Sequence, residues 1–222
     1  MAKALTSIAL VALLALPVAA ADAGFVPLFD GKDLTAWQPT PGSWVIENTV
    51  LFLKDRTDGQ MQNKYYLWTA KTYGDFVLDL EFKVTARTNS GVFIRTADVT
   101  NPVQTGIEIQ VSSEAPGQPL SRGSVAGIYD LAAPKKNMLK PEDWNRMVIT
   151  CQGSKIAVAL NGETVSEADL DRWVEARKNP DGSPNKFRRP LKDFARQGYI
   201  GLQDHGSPVW YRNIRIKALE GR

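Results

Sequence analysis

The segment Phe76–Val84 alternates without a fault. Phe76, Leu78, Leu80, Phe82 and Val84 fall on one face of an extended chain, and Asp79, Glu81 and Lys83 fall on the other. That period of two marks a half-buried strand. The stretch Met147–Val165, MVITCQGSKIAVALNGETV, holds two apolar runs joined through Gly153-Ser154 and closed by Asn161-Gly162. Asn-Gly accepts the positive φ of a tight hairpin turn, so three strands in a meander are expected. GVFIRT (Gly91–Thr96), GIEIQV (Gly106–Val111), GYIGLQ (Gly198–Gln203) and NIRIKAL (Asn213–Leu219) supply further short strands. Turn-rich spacers such as Thr100–Gly106 and Ser112–Ser124 separate them. Many short strands with little helix predict an all-β antiparallel sandwich.

One segment departs from this rhythm. SEADLDRWVEAR, Ser166–Arg177, begins with the Ser-x-x-Asp spacing of a capping box and gathers Leu170, Trp173 and Val174 on one side. It predicts one short helix near Leu170–Arg177. The polar, breaker-rich stretch Lys178–Pro190 follows, a long loop expected over one end of the sandwich. Loops of this length often carry function.

The first 22 residues do not belong to this pattern. Lys3, an apolar run from Ile8 and a small-residue end read as a secretory leader, with cleavage between Ala20 and Ala23. The run is shorter than the roughly 20 residues a transmembrane helix needs, so a soluble, exported chain in the periplasm or outside the cell is expected, with no membrane contact after cleavage. Residues 23–222 are then one domain. Of the chain's cysteines there is a single one, Cys151, in an apolar strand; it is read as a core residue. The net charge is +3 with basic residues dispersed, apart from Lys186, Arg188 and Arg189, which argues against a nucleic-acid partner.

Chemistry enters through the faces that do not point to the core. With Ile107, Ile109 and Val111 inward, Glu108 and Gln110 project together outward. With Ile200 and Leu202 inward, Gln203 shares the outer side with Tyr199 and, if extension continues, with His205, the chain's one histidine. With Val92 and Ile94 inward, Phe93 and Arg95 face out. Taken singly, each is an ordinary solvated residue. Taken together on neighbouring strands, with Trp210 and Tyr211 nearby, they form a polar groove suited to sugar hydroxyls and rings.

GFVPLFDGKDLTAWQ, NSGVFIR, GIEIQV, GIYDLAAP, DWNRMVITCQGSKIAVALNGE and GYIGLQDHGSPVWYRNIRI follow in that order, and together they resemble the bacterial DUF1080 family of 3-keto-disaccharide hydrolases, also described as 3-keto-glucoside 1,2-lyases and 3-keto-2-hydroxyglucal hydratases. The resemblance runs from Gly24 to about Leu219. It implies a concanavalin A-like jelly-roll sandwich acting on a small carbohydrate. A keto group at C3 acidifies the C2 proton; a base removes it, the enolate expels the C1 substituent, and water adds back. On that implication His205, whose unperturbed pKa lies near neutrality, is the candidate base. Glu108 is the alternative base or the group orienting the imidazole, and Arg95 is the candidate electrophile at the enolate oxygen. Gln110, Gln203, Asp204, Tyr129 and Trp210 are candidate substrate contacts. No cofactor is required by this scheme; a divalent cation held by Glu108 and His205 is an alternative to the arginine.

Two other readings stay open. A laminarinase-type hydrolase on this fold uses Glu-x-Asp-x-x-Glu along one strand. Here Gln110 stands at the aspartate position and Glu114 is displaced by one residue, which turns it to the other face. A non-catalytic lectin-like module is the second, since such sandwiches host many sugar binders.

Overall fold

Strand formation follows the period-two segments in the computed structural model, which describes residues 23–54, 65–115 and 117–219. The leader read over residues 1–22 lies outside the described residues. The chain runs β1 (Val26–Phe29), β2 (Trp44–Glu47), β3 (Val50–Leu53), β4 (Leu67–Trp68), β5 (Phe76–Val84), β6 (Asn89–Thr96), α1 (Pro102–Thr105), β7 (Ile107–Ser112), β8 (Asn145–Gln152), β9 (Lys155–Leu160), β10 (Glu163–Asp169), β11 (Tyr199–Leu202) and β12 (Val209–Ala218). An 8-stranded antiparallel sheet has the order β10-β9-β8-β5-β12-β3-β2, with β1 added along β12. A 4-stranded sheet, β4-β11-β6-β7, packs against it.

The core lies between the two sheets. Leu78, Leu80 and Phe82 of β5 and Ile149 of β8 meet Val92 and Ile94 of β6, Ile109 of β7, and Ile200 and Leu202 of β11 in one continuous apolar cluster. These are the inward residues that alternation assigned. Asn161 and Gly162 form the β9–β10 turn with φ of 52° and 90°, the left-handed geometry the Asn-Gly pair predicts. Cys151 is buried in that core, and burial pushes its thiol up to about 12. It stays protonated and carries no chemistry.

The helix expected at Leu170–Arg177 shrinks to one 3-10 turn, Leu170–Arg172. Ser166 does not cap it, because residues 163–169 continue as strand β10, paired with β9 from Glu163 to Asp169. Asp169 caps instead, its side chain accepting the Asp171 N–H. Leu170 and Trp173 are buried as the pattern required, but Val174 is exposed. Pairing along β9 outweighs the weak local helix preference.

The 4-stranded sheet has an outer face with its own apolar patch. Tyr66, Trp68 and Phe93 cluster there, with Val99, Val103 and Tyr199 packed on them. Beside that patch the sheet turns polar.

Candidate active site

Row by row, the register of the small sheet builds the site. Gly91 of β6 pairs with Gln110 of β7, and Phe93 pairs with Glu108. The Gln203 backbone N–H donates to the Gly91 carbonyl, so Gln203, Gly91 and Gln110 form one row across three strands. Their side chains stand on the outer face, as alternation predicts. The Gln203 amide reaches diagonally to Glu108, Nε2 to Oε1 at 2.9 Å. That bond passes over Gly91: a Cβ there would lie 2.9 Å from Glu108 Oε1 and 3.0 Å from its Cγ. The glycine is required by close approach of side chains. Gly91→Ala is expected to displace the Glu108–Gln203 pair and lower turnover at least about 10-fold, a misplacement effect. Steady-state kinetics beside a melting curve check it; full activity would show that the pair is not needed.

Glu108 is buried, and its second oxygen accepts from Lys186 Nζ at 3.3 Å. The ammonium also lies 4.2 Å from the Tyr129 ring centroid, a cation–π contact. Lys186 comes from the long polar loop and is tied down at its backbone. Its N–H donates to the Asp130 carboxylate, and its carbonyl accepts from Gln104 Nε2 at 3.1 Å. Tyr129 is placed by its own N–H, which donates to the Glu108 carbonyl at 2.9 Å. Asn89 accepts from Gln110 Nε2 at 2.9 Å.

His205 sits in the turn after β11, and three bonds clip that turn to the start of β6. Thr88 Oγ1 donates to the Pro208 carbonyl at 3.0 Å, the Asn89 N–H donates to Ser207 Oγ at 2.8 Å, and Ser207 Oγ donates back to the Asn89 carbonyl. The imidazole, half-buried, lines the same cleft as Asn89, Val103, Glu108, Gln110, Tyr129, Lys186 and Gln203. The cleft is about 200 Å³. No hydrogen bond engages the imidazole among the described residues.

Three of the buried side-chain polar atoms without partners among the described residues belong to this neighbourhood; the others, on Thr96 and Ser166, lie elsewhere. A carboxylate only accepts, so the Gln203 nitrogen faces Glu108 and its Oε1 is left as an acceptor. Gln203 Oε1, Gln110 Oε1 and the Tyr66 hydroxyl all lack a hydrogen bond among the described residues. Burial raises the Tyr66 phenol well above its ordinary value, with nearby Gln203 pulling the other way. Unmade bonds on buried groups cost about 1–3 kcal/mol each.

Three expected site residues are elsewhere. Arg95 has φ of 51° beside a register shift between β6 and β11, a bulge that breaks the alternation. Its guanidinium is buried away from the cleft, donating to the Gly74 and Gly153 carbonyls and to Asp75 Oδ1 at 2.8 Å. Trp210 stands on the outer face of the large sheet, stacked on Phe52 at 4.9 Å with Lys83 over its ring. Asp204 is fully buried, does not line the cleft, and accepts the Gly206 N–H at 2.9 Å. Conversely, Lys186, Asn89 and Tyr66 were not among the expected residues; Asn89 shares the outward parity of Gly91 and Phe93 on β6, whereas Lys186 and Tyr66 lie outside the alternating runs. The signal for Lys186 was its place in the long loop.

The donor set bears on the cation alternative. No group of three or more His, Cys, Asp or Glu side chains is placed to hold a metal among the described residues. Lys186 already occupies one Glu108 oxygen. The Glu108–His205 pair fits an ammonium partner better than a divalent ion. Glu114 is no second carboxylate for the cleft: its Oε1 accepts the Val125 N–H at 2.7 Å and the Ser112 hydroxyl.

The β-sandwich thus gathers in one cleft a buried carboxylate, an ammonium, an imidazole and amide oxygens without partners among the described residues, the convergent polar groups of a small-molecule site. Residues 24–217 match the model of the 3-keto-alpha-glucoside-1,2-lyase-like domain, and the chain belongs to that family. It is 28% identical to a Bacteroides thetaiotaomicron protein named 3-keto-disaccharide hydrolase, over 89% of this chain and 79% of that one. A crystal structure of a Parabacteroides distasonis protein, provisionally described as a glycosyl hydrolase, is 34% identical with TM-score 0.76, covering 88% of this chain and 99% of that one. A Bacillus subtilis protein with a galectin-like fold superposes with TM-score 0.59 at 16% identity, over 89% and 96% of the two chains, and supports the jelly-roll fold alone.

Proposed function

We propose that the protein cleaves 3-keto-glycosides by elimination and hydration, with His205 as the base. The observation that carries this reading is an imidazole without a hydrogen bond among the described residues, beside the Glu108–Lys186 pair, in a cleft whose buried Gln110 and Gln203 oxygens lack donors among those same residues. Both Glu108 oxygens are engaged, by Gln203 and Lys186, so Glu108 orders the site and His205 is the group available to take a proton.

The C2–H bond breaks and its proton passes to the imidazole. The electron pair left behind delocalises onto the C3 oxygen, where Lys186 supplies positive charge in the role first assigned to Arg95. Collapse of the enolate forms the C1–C2 double bond and breaks C1–O, and the departing oxygen takes up a proton. Water then adds its hydroxyl to C1 and a proton to C2, giving the free 3-keto sugar. The sum is hydrolysis.

Incubation of the protein with a 3-keto-disaccharide and with its unoxidised parent tests the reading. Release of the second sugar is expected from the oxidised substrate alone, because the parent has no acidic C2 proton and the cleft has one carboxylate where ordinary hydrolysis uses two. Equal rates on both would replace this reading with the ordinary hydrolase. Sugar binding without turnover would replace it with a lectin. We further propose, from the leader pattern of residues 1–22, that the reaction takes place outside the cytoplasm; an intact mass beginning near Ala21–Gly24 in the exported protein is the expected result.

A further inference from the structure

A second depression, about 630 Å³, adjoins the catalytic cleft. Tyr129 lines both spaces, so they are neighbours. Ser121, Arg122, Gly123, Asp130 and Ala133 complete the second lining. We propose that this depression is the subsite for the leaving group, and that the group it takes is a second sugar ring. The proposal rests on the 3-keto-glycoside reading and adds where the other half of the substrate lies.

Three features support it. The Lys186 ammonium holds the Tyr129 ring from the catalytic side, and Gly123 stands near its edge, a Cβ there being 3.6 Å from Tyr129 Cε2. The ring is therefore held by contacts with a residue of each lining, and a glycosidic link that spans the two spaces would run past it. The lining also mixes donors with acceptors: a guanidinium, a serine hydroxyl, a carboxylate and a phenol. That mixture suits a neutral polyol better than a flat aromatic group or an anion. Finally, one loop serves both spaces. Arg122 donates to Ser183 Oγ at 2.7 Å and pairs with Asp181, while Lys186, a few residues on, reaches Glu108. The Asp130 carboxylate accepts the Lys186 N–H and lines the second depression. The ring that leaves and the group that activates it are thus set by the same segment. The hollows beside Asp79 and Thr150 share no lining residue with the cleft.

Substitution of Arg122 would loosen the loop and blur the test, so the depression is better filled. Gly123 and Ala133 are both exposed, and Gly123→Leu and Ala133→Phe add bulk without removing a described bond. Each variant is assayed on a 3-keto-disaccharide and on a methyl 3-keto-glucoside, which has no second ring. The expected result is a loss of roughly 10-fold or more in kcat/KM on the disaccharide and no change on the methyl glycoside. Equal losses on both, or none on either, with the fold confirmed by melting, overturn the subsite. Glucose is also titrated into the unmodified protein, watching the Gly123 and Tyr129 amide resonances. Shifts there that the Gly123→Leu variant abolishes support the subsite even if neither keto substrate is turned over, an outcome that would sink the catalytic reading alone. Absence of such shifts at high glucose, together with no turnover, overturns the subsite too.

Discussion

His205→Gln is expected to lower turnover of a 3-keto-glycoside by roughly 10²-fold or more, the usual contribution of a general base. Melting should barely move. The imidazole is half-buried and makes no hydrogen bond among the described residues, while the turn that carries it is held by Thr88, Asn89 and Ser207 through groups the substitution leaves alone. Glu108→Gln should also be strongly damaging, for a different reason: it keeps the shape but removes the charge that holds Lys186 in the cleft. The pH profile separates the two roles. Removal of the base abolishes the limb of the profile that reports its titration, whereas loss of the orienting carboxylate lowers the rate across the profile. A fully active His205 variant, beside an inactive Glu108 variant, would transfer the role of base to Glu108.

Arg95 gives the largest expected effect on stability. Its guanidinium is about 1% exposed, yet it ties the end of β6 to Gly74 and Asp75 before β5 and to Gly153 in the β8–β9 turn. Burial works against its charge and Asp75 offsets that cost. Arg95→Met removes the cation, deprives two carbonyls of its donors and leaves Asp75 with the Gly153 N–H at 3.0 Å. Breaking a buried pair in this way costs about 3–5 kcal/mol, a drop in Tm on the order of 10 °C for a domain of this size. Turnover per folded molecule should stay near that of the parent chain. An Arg95→Met protein that melts normally but turns over slowly would return the arginine to the catalytic site.

Arg95 also marks where reading by alternation fails. From Ile107 to Val111 the period of two is unbroken, and it places Glu108 and Gln110 on the outer face of β7. The same rule places Gln203, because Ile200 and Leu202, two apart on β11, both join the core. The positive φ at Arg95 inserts a bulge, and one extra residue turns the next side chain the other way. Nothing in NSGVFIRT announces that turn, since the bulge answers to the partner strand.

What the sequence determined by itself was the strands, their inward residues, the Asn161-Gly162 turn and the outward polar set of β7 and β11. Each depends on a neighbour two residues away or fewer, and local sterics with burial decide it. Tertiary structure alone decided which sheet a given face belongs to. Trp210 and Gln203 both point away from the core, but on opposite sides of the sandwich. It also drew the start of the helical pattern, Ser166–Asp169, into strand by offering β9 as a partner, which left one 3-10 turn at Leu170–Arg172. Above all it brought Lys186 to Glu108 across 78 positions of chain. That pairing is set by where Asp130 and Gln104 anchor the loop, and no period in a sequence encodes the meeting of residues so far apart.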